Sequence, residues 1–405
     1  VVTINQKKTW PELEYELGLV EPSLIVNDGI DYGCRPDIEA AYGDKLRPMD
    51  AFKDSAPAEL VDCVGHDDLM VLMFTSGTTG RSKAVMLSER NFFTTVECQV
   101  KFGDAMLDYK HEHMPEDKND VLSNFAILPL FHLGTFICLF VWACKGWALN
   151  LSADIRDFYR DLGLMHSDAI AVAPMLMEAI YKDVKRGRRA RLNGIWNPCG
   201  SSAMFDGAML AELAQQGMMI TQVYGMTETC GDGIINYAQD AKHIGAVGQG
   251  NDYLDYKLEP DGELCIRGDS IMLGYYKDPE ATAEAFDRVG LRAVLGITII
   301  EFPSQYASDA DDYLRKGLAT FDAWRNHPLI RFALAPHAPY TVADTTFERI
   351  ASLADELELP IHIHLHETRQ EIEDSLRSCG QRPISRLEAL GLLGPNLIGV
   401  HAVHL

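Results

Sequence analysis

The apolar pattern of this chain changes character near residue 287, and no single repeating architecture accounts for both sides of the change. From there onward the residues alternate between strand and helix periods. An apolar, β-branched strand is expected over 293–301. A helix follows from about Ser308, with Ser308 as N-cap, Asp311 at the third helical position and an apolar stripe of Leu314, Leu318 and Phe321. The next strand is expected over 329–335, then a helix capped by Asp344 with Phe347, Ile350, Ala354 and Leu357 on one face. A strand over 360–366, helical residues to about Leu392 with a capping box at Ser385 and Glu388, and a strand over 397–403 complete the run. This βαβαβαβ succession amounts to about half of a (β/α)8 barrel, a fold of typically about 250 residues.

No Pro/Ser/Gly-rich linker separates the two patterns, although domains joined in one chain usually have one. The 405 residues suffice for two or three domains and a large core. A formal net charge of -23 argues against a nucleic-acid groove or an anionic membrane surface as partner. Any anionic ligand must then be held by local donors. The nine cysteines are scattered with no CxxC pair, which suggests reduced thiols and a cytoplasmic setting. The chain opens VVTINQKKTW, without initiator Met or signal-peptide pattern, as a fragment or a processed protein does. The stretch 126–144 is apolar and nearly long enough to span a bilayer, but Pro129, His132 and Gly134 interrupt it. A buried strand, turn and helix is expected there, with no integral membrane segment.

Upstream of the change, a strand-like run over 67–74 enters the loop Thr75-Ser76-Gly77-Thr78-Thr79-Gly80-Arg81-Ser82-Lys83. Gly77 and Gly80 let the backbone turn tightly and bring N–H groups toward an anion, while hydroxyls and two cations add donors. That is a sound way to hold a triphosphate, although such a loop by itself also suits a solvated Ser/Gly turn. No GxxxxGK[ST] pattern is present. The loop does not stand alone. Leu128-Pro129-Leu130-Phe131-His132, Gly200-Ser201-Ser202-Ala203, Tyr224-Gly225-Met226-Thr227-Glu228-Thr229, Gly262-Glu263-Leu264-Cys265-Ile266-Arg267-Gly268 and Gly274-Tyr275-Tyr276 follow in order. The set resembles the acyl-adenylate-forming superfamily, which includes the acyl-CoA synthetases, over roughly residues 10 to 287.

The resemblance implies an adenylation domain over 1–287 using ATP, Mg²⁺ and coenzyme A. Thr75, Ser76, Gly77, Thr78, Thr79, Gly80 and Lys83 would hold the ATP phosphates. The backbone of Gly200, Ser201, Ser202 and Ala203 and the ring of Tyr224 would sandwich adenine. Glu228 would ligate Mg²⁺, and Thr227 would contact the phosphate that becomes the acyl-adenylate. His132 would sit at the acyl and thiol entrance, or else be a satisfied core histidine. A carboxylic acid would attack the α-phosphate with loss of pyrophosphate, and a thioester would follow. The family continues after this point with a DGW…TGD segment whose Asp grips the ribose; here the chain reads Arg288-Val289-Gly290-Leu291-Arg292-Ala293 instead. The start of the domain and the C-terminal lid with its catalytic Lys are likewise expected to be missing.

In the second pattern the polar residues fall at strand ends. His337 follows one strand, His362, His364 and His366 share one face of the next with Glu367 at its end, and His401 and His404 lie near the last. Active sites of such barrels sit at the C-terminal ends of the strands. The segments APHAPYTV, HIHLHET, RPISRLEALGLLGPNL and VHAVHL resemble the methylthioadenosine/S-adenosylhomocysteine deaminases and related amidohydrolases over 288–405. The resemblance implies that His364 ligates a divalent metal, Zn²⁺ or Fe²⁺, that Glu367 shuttles protons, that His401 orients the hydrolytic water and that His337 contacts an adenine nucleoside. The family's first-strand HxH pair belongs upstream of residue 288, where this chain carries adenylation sequence, and its last Asp ligand belongs beyond residue 405. The expected fold is therefore α/β: part of an adenylate-forming enzyme's large N-terminal domain joined to about half of an amidohydrolase barrel. Such a chain should turn over neither substrate. Its alternatives are a bifunctional enzyme, an adenine-nucleoside deaminase, or a non-catalytic nucleotide-binding protein.

Overall fold

The computed structural model describes residues 1–5, 7–28, 32–55, 65–75, 81–152, 154–201, 204–231, 233–240, 242–260, 262–288, 293–304 and 306–404. The chain forms two compact units, one of Val1–Asn5 and Pro57–Gly274, the other of Gln6–Ala56 and Tyr275–Leu405. This grouping by compactness differs from the division at 287 read from the sequence.

In the first unit a seven-stranded sheet runs in the order Gln249–Gly250, Ile234–Asn236, Thr221–Tyr224, Asn197–Ser201, Ala169–Val172, Ser123–Ala126, Ala148–Leu151. The five strands from Thr221–Tyr224 to Ala148–Leu151 are parallel, and the remaining two add on antiparallel. Side chains alternate across a strand, so each strand contributes to both faces. Phe125, Ile170 and Val172 enter a core with Leu162, Met177, Ile180, Leu210 and Leu213 from the helices Phe158–Leu164, Pro174–Lys185 and Gly207–Gln215. Fully burying each such side chain contributes about 1.5–3 kcal/mol. The alternate positions on the same strands, Asn124, Ala169, Ala171, Asn197 and Cys199, are small or polar. Asp168 pins the amino ends of three strands: its carboxylate accepts from the Ser123 N–H and hydroxyl, both at 2.8 Å, and from Trp196 Nε1 at 3.0 Å.

A hairpin of Leu69–Thr75 and Lys83–Ser88 leads into the helix Glu89–His113. Ser88 and Asn91 bond reciprocally to each other's backbone N–H, at 3.1 and 2.8 Å, satisfying two donors that a helix start leaves open. The stretch 126–144 forms the end of a strand, a turn and the helix Leu133–Lys145, which Gly146 ends at φ 66°. Among the described residues no helix is long and apolar enough to cross a membrane.

The second unit contains four parallel strands in sequential order, Ala293–Ile299, Ile330–Pro336, Ile361–Leu365 and Leu397–His401. The helices Ala310–Trp324, Asp344–Leu357, Arg369–Cys379 and Pro383–Ala389 lie between them in sequence. Leu295, Ile297, Ile299, Phe332, Leu334, Ile361, Ile363 and Leu365 pack against Leu314, Phe321, Phe347 and Ile350. The opposite face of the first strand, Val294, Gly296 and Thr298, is exposed. In the same unit the Lys277 ammonium donates to the Leu19 carbonyl at 3.0 Å, near the end of the helix Trp10–Val20.

The order of strands and helices matches the periodicity, but three helix starts differ from expectation. Asp309, not Ser308, caps the Ala310–Trp324 helix: its carboxylate accepts from the Asp312 N–H at 2.9 Å, while the Ser308 hydroxyl donates to Asp309. Asp344 is the first helical residue rather than a cap, its carboxylate instead accepting from Arg386 Nε at 2.7 Å. Ser385 lies inside the Pro383–Ala389 helix, because Pro383 already suits the first helical position. Thr368 caps the preceding helix through the Glu371 N–H.

Helix Ala310–Trp324 approaches the sheet at Gly317, where an added Cβ would lie 2.2 Å from Ile297 Cγ2. Gly317→Val should therefore destabilise the second unit by about 1–3 kcal/mol, more than the few tenths of a kcal/mol that Val gains over Gly in helix propensity. Urea denaturation followed by circular dichroism reads this; an unchanged midpoint would refute the close approach.

Candidate functional site

The parallel strands of the first unit end at a common edge, where open α/β sheets receive ligands. A cavity of about 500 Å³ opens there and continues over the face of small side chains, under the helices Glu89–His113 and Leu133–Lys145. Leu128 and Pro129 follow one strand into it, Ala173 another, Ser201 a third, and Gly225, Met226 and Thr227 a fourth. His132 also lines it, at its exposed mouth, where it stands just before the Leu133–Lys145 helix. Protein surrounding the ring holds the His132 pKa below its ordinary value by desolvation.

The Tyr224-to-Thr229 segment owes its shape to a closed set of bonds. The Thr229 hydroxyl accepts from the Met226 N–H and donates to the Met226 carbonyl, both at 3.1 Å. Cys230, in the left-handed region at φ 54°, and Gly231 return N–H bonds to Thr227 and Met226. This turn leaves Thr227 on the cavity wall and Glu228 half-buried beside it, with Tyr224 at the exposed strand end.

Hairpin pairing sets Thr75 opposite Lys83, where the loop's two stems meet. Ser76, Gly77, Thr78, Thr79 and Gly80, together with Ser202 and Ala203, lie outside the described residues. Two neighbouring amides tie the hairpin to the acidic turn. The Met272 N–H donates to the Glu228 carbonyl and the Leu273 N–H to the Met86 carbonyl, each at 2.9 Å. The Asn91 amide holds the same segment by donating to the Asp269 and Ile271 carbonyls, both at 2.8 Å.

Of the residues named from the sequence, His132, Ser201 and Thr227 share the cavity. Gly200 backs onto the Phe205 ring, 2.6 Å from where a Cβ would sit, so packing alone requires glycine there. Sequence reasoning missed Asn124, Phe102, Trp142 and Trp147, which form much of the cavity wall. Its readable trace was the alternation of small with large residues along 169–172 and the run of small residues along 197–201.

In the second unit three histidines lie side by side along the strand ends, His364 and His401 stacked and His337 tilted against His364. The His337 and His364 rings are 5.4 Å apart, as are those of His364 and His401. His364 Nδ1 bonds the His337 carbonyl at 2.7 Å, and His337 Nδ1 faces the Thr341 hydroxyl at 3.1 Å. Glu367 Oε1 lies 3.9 Å from His401 Nε2. Burial, then the neighbouring His364, lowers the His337 pKa. His401 and Ala402 both adopt left-handed backbone, at φ 72° and 49°, costing of order 1–3 kcal/mol each.

His366 does not share the face of His362 and His364. It has left the strand at φ 54°, is buried, and accepts at Nε2 from the Ile384 N–H at 3.3 Å. The Glu371 carboxylate turns the chain there by accepting from the His366 and Glu367 N–H groups, at 3.0 and 2.8 Å. Among the described residues no three His, Cys, Asp or Glu side chains are placed to share a metal ion. A catalytic zinc-type centre takes about three protein ligands, so this donor set does not fit one.

Residues 1–276 match the family model described as AMP-binding enzyme, and residues 268–405 match the amidohydrolase family. The chain is 45% identical over 139 residues to a 5-methylthioadenosine/S-adenosylhomocysteine deaminase of Saccharophagus degradans, covering 34% of this chain and 31% of that protein. It is 45% identical over 143 residues to the enzyme so described from Teredinibacter turnerae, covering 35% and 32%. The chain thus spans about a third of the length of these curated relatives. The o-succinylbenzoate CoA synthetase of Bacillus subtilis, solved with its acyl-adenylate intermediate, aligns with a TM-score of 0.57 at 20% identity, over 70% of this chain and 57% of that one. The N-terminal domain of FACL13 from Mycobacterium tuberculosis aligns with a TM-score of 0.57 at 21% identity, over 71% and 74%. These two likenesses are of fold.

Because its folded-state pKa is depressed, His132 contributes stability that is complete above the ordinary histidine value of 6.5 and is lost as pH falls below it. The unfolded chain takes up the proton first. An NMR titration assigned with His132→Gln should give a midpoint below 6.5; a midpoint at or above that value would contradict the desolvation of the ring by the protein beside it.

Proposed function

The chain belongs to the AMP-binding enzyme family, and from that premise we propose that its first unit binds ATP and a carboxylic acid in the arrangement used to form acyl-adenylates. The observation that supports this best is the cavity at the carboxyl ends of the parallel strands, with His132, Ser201 and Thr227 in its wall. The carboxylate would sit at the mouth beside Thr227, and one of its oxygens would attack the α-phosphorus as the bond to pyrophosphate breaks. Lys83 would offset phosphate charge while Thr75 and the loop 76–80 would hold the phosphates by hydrogen bonds, since this reaction needs charge stabilisation more than covalent catalysis. Glu228 would hold the Mg²⁺ that accompanies ATP, Tyr224 and the 200–203 backbone would flank adenine, and coenzyme A would enter past a neutral His132. The bonds of Met272 and Leu273 keep the hairpin and the acidic turn at a constant spacing, as a triphosphate bridging them requires.

This chain departs from that chemistry at its junction. After Phe286 it enters the strand Ala293–Ile299 rather than the segment that grips ribose in the resembled family. We read residues 288–405 as a piece of an adenine-nucleoside deaminase of the amidohydrolase family, joined to the adenylation domain of residues 1–287. His364, Glu367, His401 and His337 keep the strand-end positions that such chemistry uses, but the metal donors do not converge among the described residues. The join therefore retains binding and loses turnover of both reactions.

ATP–pyrophosphate exchange with a panel of alkyl and aryl acids should stay at background, and methylthioadenosine should not be deaminated. Exchange with any acid would overturn the loss of turnover. Calorimetric titration with ATP and Mg²⁺ should saturate, with Lys83→Ala weakening binding by about ten-fold or more. No saturable binding in the native chain would remove the nucleotide-binding reading.

A further inference from the structure

The cavity of the first unit also carries a marker of what it selects. Its wall is mainly apolar, with Phe102, Met106, Trp142 and Trp147, and among the described residues no Lys, Arg, Asp or Glu lines it. Its size falls within the roughly 300–1,000 Å³ common for small-molecule sites. A charged tail would meet no counter-charge among these described residues, and an apolar one suits the aromatic and aliphatic wall.

Several polar groups interrupt this wall, among them Gln99, Asn124, Thr135 and Asn197. Asn124, only 4% exposed, lies on the strand Ser123–Ala126 between Leu149 and Ala169 in register, and its side chain lines the cavity. Its main chain is paired within the sheet, but its amide has no hydrogen-bond partner among the described residues. Three other buried amides of this unit have acceptors for their N–H groups, whereas the Asn251 amide nitrogen has none among the described residues. Asn197 donates to the Met219 carbonyl at 2.9 Å, Gln222 to that of Ile244 at 2.7 Å and Asn236 to that of Ala246 at 2.6 Å. The Asn124 amide opens onto the cavity rather than being enclosed by protein, so it is available to whatever occupies that space. Asn124 faces space large enough for a ligand atom to supply the missing bond.

We propose that this cavity selects a carboxylic acid with an uncharged, largely apolar alkyl or aryl tail bearing one hydroxyl or carbonyl oxygen where the tail meets Asn124. The inference rests on reading the cavity as the acid site and adds the substrate class. Asn124 offers both an N–H donor and a carbonyl acceptor, so either oxygen type pairs with it. An acid of the same length without the oxygen leaves the amide unpaired and binds less well, as sites built around a hydrogen bond reject analogues that lack it.

The test uses the full chain without nucleotide, so its result is independent of ATP binding and of pyrophosphate exchange. Trp142 and Trp147, with ring centroids 5.0 Å apart in the cavity wall, report occupancy by intrinsic fluorescence. Octanoate is titrated against its mono-hydroxy isomers, and phenylpropanoate against its ring-hydroxylated counterparts. One positional isomer should bind about ten-fold more tightly than its parent acid. Asn124→Leu should abolish that difference, and Asn124→Ala serves the same purpose where the leucine variant does not fold. Equal binding across both series in the native chain, no binding of any acid, or a preference that survives substitution of Asn124 overturns the proposal. A flat acid series beside normal ATP binding would refute this inference alone, whereas acid selection without ATP binding would refute the nucleotide reading alone.

Discussion

A parallel sheet has to be covered on both faces, because its connections pass over those faces and its strands carry apolar side chains to each. The first unit meets this demand unequally. One face is filled by Phe125, Ile170 and Val172 against three helices. The other carries Asn124, Ala169, Ala171, Asn197 and Cys199, too small to reach the helices that cover it. The cavity is the volume those side chains leave. Its position at the strand ends follows from topology, and its character follows from which residues occupy alternate positions.

The polar parts of the site depend on a different kind of support. Thr227 and Glu228 sit on a turn closed by the Thr229 hydroxyl, and that turn is held to the hairpin by two successive amides. The buried Asn91 does two things at once: it closes the capping box with Ser88 and clamps the segment that carries those amides. A single side chain thus links the start of a long helix to the spacing between a cation-bearing hairpin and an acidic turn.

Much of this was legible in the residues. The strand and helix order from Ala293 to His401 follows from alternation of apolar and polar positions, because core-facing residues such as Leu295, Ile297 and Ile299 recur with period two. The motif order around Thr75, Ser201 and Thr227 announced the first fold. What escaped was set by partners distant in sequence. His366 looks like part of an alternating HIHLH strand, yet Glu371 accepts two successive backbone N–H groups and turns the chain out of it. Ser308 looks like a cap, but the carboxylate beside it at Asp309 takes the helix N–H instead. Asn124 reads as an ordinary strand residue, and only the small neighbours at 169 and 197, brought alongside by pairing, reveal that it faces empty volume.

The second unit's sheet keeps one face packed and leaves Val294, Gly296, Thr298 and His362 open. That asymmetry has a calorimetric meaning. The heat-capacity increment of unfolding comes from apolar surface newly exposed to water, about 12–15 cal/mol/K per residue in ordinary globular proteins. Side chains that are already hydrated in the native state add nothing to it. The heat-capacity increment of this unit therefore comes from its packed face, and Val294, Gly296, Thr298 and His362 add little to it.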